Sequence, residues 1–325
     1  DILISSKEGV LSQIVDSAAA LRVHSVESHS DPLILDWVKF IKEDYVSPQG
    51  LDDILILLPC SARKPYSYSR SHKSFHRAMN HNAAHEVMVT SPLGLVPRDL
   101  EEVWPAGHYD IPVTGDWTTD ERIRVTQMID ALVSRNNYRL IINHSGMDYN
   151  SEIDVIDTRQ GDSGTSHVAL ERLGQAVLDN MRVKRRSGER TNLDNFRSVA
   201  RLHHLNDEWL DGVEIRGRFP RWKILKDGEQ IAMWAPERGG FSLSKAGISI
   251  LDAHNSLKRI HLKPNVKWKG DVNLVILESY DSSIRCGEDV LVMQGSQCIG
   301  SARAAAPAWE WEGTPGRLAK MHQRR

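Results

Sequence analysis

The chain has 325 residues, 40% of them hydrophobic and 26% charged, which is the profile of an ordinary globular protein with two to three domains. No run of about 18 apolar residues occurs, so no transmembrane helix is expected, and the N-terminus lacks the basic-then-apolar pattern of a secretory signal. The formal charge of −2 is uneven, with an acidic excess in residues 1–48 and a basic one after Arg259, a distribution compatible with phosphate contact near the C-terminus.

In chain order, Ser5–Val23 and Pro32–Asp44 show apolar residues at helical spacing. Residues 1–48 therefore read as a helical N-terminal segment, a hairpin or a cover for the adjoining domain. The chain starts at Asp1 rather than Met, which leaves a missing upstream part open. Ile54–Leu58 is a short, wholly apolar run between Asp-Asp and Pro-Cys, as expected of a strand covered on both faces. Glu86–Thr90 and Tyr138–Asn143 are further strands. Helices are expected over Ser71–His85, Thr119–Arg135 and Ser166–Val183. This alternation predicts an α/β domain with a mostly parallel sheet over residues 49–185. The basic stretch Arg182–Arg190 reads as a linker, or as a mobile RNA-contacting segment. Residues 191–258 are expected to form a small α+β domain. It would hold a helix over Asn195–Leu210, a hairpin of Trp222–Leu225 and Gln230–Trp234, and a closing helix or strand over Leu243–Ala253. Val272–Leu277, Val290–Met293 and Ile299–Ala304 are short strands of a small β-barrel over 260–325.

In parallel sheets, sites form at the carboxyl ends of the strands. The three strands of the first domain are followed by Cys60, by Ser91, and by Asn143 and His144. If the strands are neighbours, Cys60, Ser91 and His144 share a rim, and a histidine or a cation beside the thiol would favour the thiolate. In the alternative, Cys60 is inert and Asn143 and His144 only close a strand. The stretch Ser61–Arg77 interleaves Arg63, Lys64, Arg70 and Lys73 with Tyr66, Tyr68, His72 and Phe75. Cations for phosphate beside aromatic faces for an unstacked base suit single-stranded or flipped-base recognition. The pairs His72/His76 and His81/His85 have a spacing that places metal ligands on one helix face, but no third ligand accompanies them and no metal is expected. The three cysteines form no CxxC pair, so no structural zinc is expected, and a reducing cytoplasm fits their odd number.

Two stretches resemble known families. Gly287–Met293, Cys298–Ala305, Gly316 and the basic end His322–Arg325 are similar to the PUA domain, a small pseudo-barrel that binds RNA. The spacing Pro59-Cys60-x3-Lys64-Pro65-Tyr66-x2-Ser69-x2-His72 resembles the signature of archaeosine synthase, and Ser91–Pro97, Glu102 and Trp104–Asp110 fit the same family. The resemblance implies addition of an amine to the nitrile of 7-cyano-7-deazaguanine in the tRNA D-loop, with free lysine as donor, or glutamine in an older picture. A radical SAM partner enzyme would then release archaeosine. No cofactor is implied for this chain, and a homo-oligomer is compatible with it. Cys60 becomes the candidate nucleophile, with Lys64, Ser69, His72 and His144 as proton-handling groups. Tyr66, Ser91, Asp110 and Asn143 become candidate substrate contacts. Arg63, Arg70, Lys73, Arg303, Arg324 and Arg325 become candidate RNA contacts. Longer members of the family carry an upstream transglycosylase-like domain with a zinc site, which this sequence lacks, so a short form or a fragment is expected. A non-catalytic tRNA-binding subunit is the main alternative. A base-exchange transglycosylase would need a nucleophilic Asp and the zinc site, and a Cys60/His144 hydrolase fits poorly with a PUA domain.

Overall fold

The computed structural model describes residues 21–22, 29–110, 117–218, 220–313 and 315–325. Two units, Leu21–Asn195 and a second running from Phe196 to Arg325, each hold their own sheets. In the first, the elements are β1 (Leu21–Arg22), α1 (Pro32–Glu43), β2 (Ile54–Pro59), α2 (Arg70–Met79), β3 (His85–Thr90), β4 (Gly94–Pro97), β5 (Tyr109–Asp110), α3 (Thr119–Arg135), β6 (Leu140–Asn143), β7 (Asp154–Asp157) and α4 (His167–Asn180). The main sheet has the order β4-β3-β2-β6-β7, with β4 antiparallel to β3 and every other pair parallel. The expected mostly parallel sheet is thus present. β2 is apolar throughout because Ile54–Leu58 are buried on both faces.

Two strands of this sheet are not apparent in the sequence. β4 is four residues long between Gly94 and Pro97, and β7 is an edge strand whose residues are exposed or half-buried, so neither carries an apolar run. Most of the helix expected over Ser5–Val23 lies outside the described residues, but Leu21–Arg22 form a strand that pairs in parallel with β5. Helix α1 packs on the sheet rather than standing apart. Trp37 Nε1 donates to the Leu95 carbonyl at 3.0 Å, and the Tyr45 hydroxyl, just past the helix, donates to the Asp99 carboxylate at 2.8 Å. Helix α2 ends at Met79, six residues before the expected His85. Asn80 adopts φ 45°, the left-handed conformation that closes helices, and His85 instead opens β3. His81 and His85 therefore share no helix face. Helix α3 has the expected bounds and starts on a reciprocal capping box between Thr118 and Glu121.

Helix α5 (Gly188–His203) starts and ends seven residues earlier than the expected Asn195–Leu210, because Ser187 caps it through the Arg190 amide at 3.2 Å. The basic stretch before it is anchored: Arg186 pairs with the buried Asp194, and its amide donates to Asn82 Oδ1 at 2.8 Å.

The second unit contains β8 (Glu214–Arg218), β9 (Arg221–Lys226), β10 (Glu229–Ala235), β11 (Gly240–Leu243), α6 (Lys245–Ala253), β12 (Arg259–Leu262), β13 (Leu277–Tyr280), β14 (Asp289–Gln294), β15 (Gln297–Ala304) and β16 (Ala319–Arg324). β8–β11 form an antiparallel sheet in the order β11-β10-β9-β8, and the other five strands form a mixed sheet in the order β13-β12-β14-β15-β16. The β9–β10 hairpin turns on Asp227 and Gly228, with φ 51° and 81°, the backbone that a two-residue Asp-Gly loop favours. Val272–Leu277 is not a strand. The Asn273 side chain accepts from the Val275 and Ile276 amides and folds the chain into a turn, leaving Val272 a single bridge to Ala319. Residues 191–258 and 260–325, read from sequence as separate domains, join from Phe196 on into one unit. The Arg303 guanidinium on β15 donates to the Phe241 carbonyl on β11 at 3.2 Å and so ties the two sheets together. Among the described residues no helix is long and apolar enough to cross a membrane.

Candidate functional site

The carboxyl edge of β2 delivers Pro59 and Cys60 to the rim of the parallel sheet, and β3, paired alongside it, delivers Thr90. The chain then turns through Lys64–Tyr68 into α2. The Lys64 Nζ is buried 4.1 Å from the centre of the Tyr109 ring, a cation–π contact in a desolvated setting. The Tyr109 hydroxyl lies 2.6 Å from Thr90 Oγ1 and also hydrogen-bonds the hydroxyl of the fully buried Tyr66. Lys64, Tyr66, Thr90 and Tyr109 thus form one connected group beside Cys60.

The thiol of Cys60 is pushed above its usual value. Burial is the largest influence and outweighs the Lys64 charge and the Thr90 hydroxyl, both of which favour the thiolate. Of the histidine or cation expected to favour the thiolate, the cation Lys64 is the one that acts on this sulfur, and the lowered pKa expected from it is overturned by burial. Cys286 and Cys298 are buried in the other unit, and burial pushes the Cys286 thiol up to about 12.

His72 and His144 both pack edge-on against Phe75, with ring centroids 5.2 and 5.0 Å from it. Both histidines are committed to holding loops. An Arg98 N–H donates to His72 Nδ1 at 2.9 Å, so the ring donates through Nε2 to the Pro59 carbonyl at 3.0 Å. Burial, with the Arg98 charge, pushes His72 down to about 2, and it stays neutral. His144 is wholly buried, with Nδ1 2.8 Å from the Thr158 hydroxyl and Nε2 2.8 Å from the Gly164 carbonyl. Burial lowers its pKa as well.

The other expected site residues divide. Lys64 and Tyr66 join Cys60. Ser69 caps α2 by accepting from the His72 amide at 3.2 Å. Asn143 folds the chain after β6, donating to the Met147 carbonyl at 2.8 Å and accepting from Ser145. Ser91 donates to the Glu121 carboxylate at the start of α3. These three serve the local structure, as does the histidine pair. The side chain of Asp110 lies outside the described residues. Arg63, Arg70 and Lys73 are exposed around the rim, with Arg63 5.8 Å from the centre of the Tyr68 ring. Arg324 and Arg325 are exposed in the second unit, whereas Arg303 is buried against Asp289 and cannot reach a phosphate. The sequence reading does not single out Thr90 or Tyr109. The available signal is their place at the end of an apolar strand and within the Trp104–Asp110 stretch. Among the described residues no group of three or more His, Cys, Asp or Glu could hold a metal.

A cavity of about 570 Å³ adjoins the rim, its wall shared with the site through His72. Its lining mixes Lys73 and Arg77 on α2 with the ion pairs Arg98–Glu86 and Arg186–Asp194 and with Asp99. The volume is that of a small-molecule pocket.

Residues 34–177 match the family model of a domain of unknown function, DUF5591. The archaeosine synthase subunit alpha of Methanosarcina acetivorans is 32% identical, over 83% of this chain and 46% of that protein. That of Thermoplasma acidophilum is 29% identical over 89% of this chain and 56% of that protein, and the archaeosine synthase of Haloferax volcanii is 30% identical over 78% and 45%. The chain is a relative of the archaeosine synthases. It spans about half the length of the curated relatives it matches. The match to these synthases runs well beyond the DUF5591 region. The fold is also that of the crystal structure of AF0587, a protein of unknown function, at a TM-score of 0.67 and 20% identity, covering 89% of this chain and 99% of that one.

Proposed function

We propose that the chain is a tRNA-modifying transferase of archaeosine biosynthesis and that Cys60 reacts with the nitrile of 7-cyano-7-deazaguanine in tRNA. The observation that carries this reading is the placement of Cys60 at a strand end beside the buried Lys64–Tyr109–Thr90 group, in a relative of the archaeosine synthases. The thiolate is the attacking form, so the Cys60 thiol gives up its proton as it adds to the nitrile. The Sγ–C bond forms, one C–N π bond breaks, and the thiol proton ends on nitrogen, which gives a thioimidate. Lys64 is the group placed to relay that proton, since His72 and His144 have both ring nitrogens engaged. The ε-amine of free lysine then attacks the same carbon, the C–S bond breaks, and an amidine leaves with the thiol restored. A separate radical SAM enzyme would consume that adduct. The cavity beside His72 supplies room for the amine donor, with Lys73 and Arg77 facing its carboxylate. Residues 260–325 of the second unit, read as a PUA domain, supply RNA contacts through Arg324 and Arg325.

The test uses tRNA bearing 7-cyano-7-deazaguanine, lysine, and wild-type chain beside Cys60→Ala, with nucleosides weighed after digestion. A lysine-sized mass gain in the wild type alone supports the reading. Equal gain in both removes Cys60 from the chemistry. RNA binding without gain in either turns the chain into a binding subunit.

A further inference from the structure

The side chain that organises the rim is one that the signature spacing does not contain. Tyr109, at the end of the stretch from Trp104, touches every other polar member of the group. Its ring faces the Lys64 ammonium at 4.1 Å, its hydroxyl lies 2.6 Å from Thr90 Oγ1, and the same hydroxyl meets that of Tyr66. It is 2% exposed, so water does not compete for these contacts. Lys64 and Thr90 are the two side chains that favour the Cys60 thiolate against burial, and Tyr109 touches both.

We propose that Tyr109 is the positioning residue of the site: its ring seats the Lys64 ammonium, its hydroxyl orients Thr90, and through these two it sets the reactivity of the Cys60 thiol. The proposal rests on the reading of Cys60 as the reacting group. Tyr109 acts on the sulfur only through Lys64 and Thr90. A cation held against a tyrosine face in a dry site keeps its charge at a fixed place near the sulfur, where low polarity strengthens its pull on the thiolate. The hydrogen bonds that occupy His72 and His144 leave neither ring to control the thiol directly.

The measurement is the rate at which iodoacetamide alkylates Cys60 at pH 8 in the full chain, with Cys60→Ser as the blank. It needs no RNA, so its result is independent of whether the nitrile reaction occurs. Tyr109→Leu is expected to slow alkylation about thirtyfold, the scale of a desolvated cation–π contact. Lys64→Met is expected to slow it by at least as much, and adding Tyr109→Leu to Lys64→Met is expected to cost only the further threefold or so of the lost hydroxyl, because the ring acts through the ammonium. Tyr109→Phe keeps the ring and is expected to lose only about threefold, matching Thr90→Val, again without addition in the double variant. Full multiplication of the single effects in either cycle, or wild-type rates in folded Tyr109 variants, would overturn the proposal. If Tyr109→Leu fails to fold by circular dichroism, the Tyr109→Phe and Thr90→Val cycle decides alone.

Discussion

At Cys60, burial and charge oppose each other. Burial wins, so at neutral pH the sulfur carries its proton despite Lys64 nearby. Alkylation of Cys60 is accordingly expected to keep rising with pH through 9.0, the ordinary value from which the thiol is displaced upward, and a plateau reached below that pH would contradict the balance. His72 and His85 are displaced the other way, to about 2 and about 3, chiefly by burial. Unfolding returns each to about 6.5, so the unfolded chain binds more protons whenever the pH is below that value. Their contribution to stability is complete above 6.5 and is lost as the pH falls towards 3 and 2, at about 1.4 kcal/mol per pH unit for each histidine. Denaturant midpoints measured between pH 7.5 and 5 are expected to fall, and to fall less steeply in His85→Gln, which removes one of the two titrations. The residue types around the site were legible in the sequence, because Cys60, Lys64, Tyr66, Ser69 and His72 share one short spacing. Their roles were not, since a histidine that holds the Pro59 carbonyl and one that moves protons have the same letter.

Among the elements, those with strong local signals appear where the sequence puts them. Helix α3 is bounded by its capping box, and the β9–β10 hairpin by Asp227-Gly228. Thr118 accepts from the Glu121 amide while Glu121 returns to the Thr118 amide at 2.8 Å, and the same carboxylate holds Ser91. Thr118→Ala is expected to cost about 1 kcal/mol in chemical denaturation, and a loss within error would mean that Ser91, His29 and the retained Thr118 amide suffice to order Glu121. Elements that escape the sequence lack local signals. β7 is short and acidic at both ends, β4 is framed by Gly94 and Pro97, and both exist because a neighbouring strand offers its edge. The overlong expectation for α2 shows the reverse case. A left-handed Asn80 stops a helix whose composition would allow it to continue.

On the scale of the whole molecule, the exposed cations divide into those that can meet phosphate and those spent on structure. Arg63, Arg70 and Lys73 are exposed at the rim. Reversal of any one to Glu is expected to weaken tRNA binding and to lower the salt dependence of log K by about one unit per contact removed, measured by filter binding across a salt series. Arg303 is expected to behave differently. Its guanidinium is buried against Asp289 and bonds the Phe241 carbonyl, so Arg303→Ala should destabilise the second unit by about 3–5 kcal/mol, a loss that leaves the salt slope of the remaining folded protein unchanged. A loss of slope without a loss of stability would return Arg303 to the RNA surface.

By itself the sequence determined the alternation of strand and helix, the parallel core around Ile54–Leu58, the short spacing that carries Cys60 and Lys64, and the relation to archaeosine synthases, because periodicity and motif are local properties of the chain. Tertiary structure alone decided which polar residues are used up. Burial and hydrogen-bond geometry, which depend on residues far apart in sequence, engage His72, His144, Asn143 and Ser69 in local hydrogen bonds, bury Arg303 against Asp289, and bring Tyr109 and Thr90 together with Lys64 at the rim.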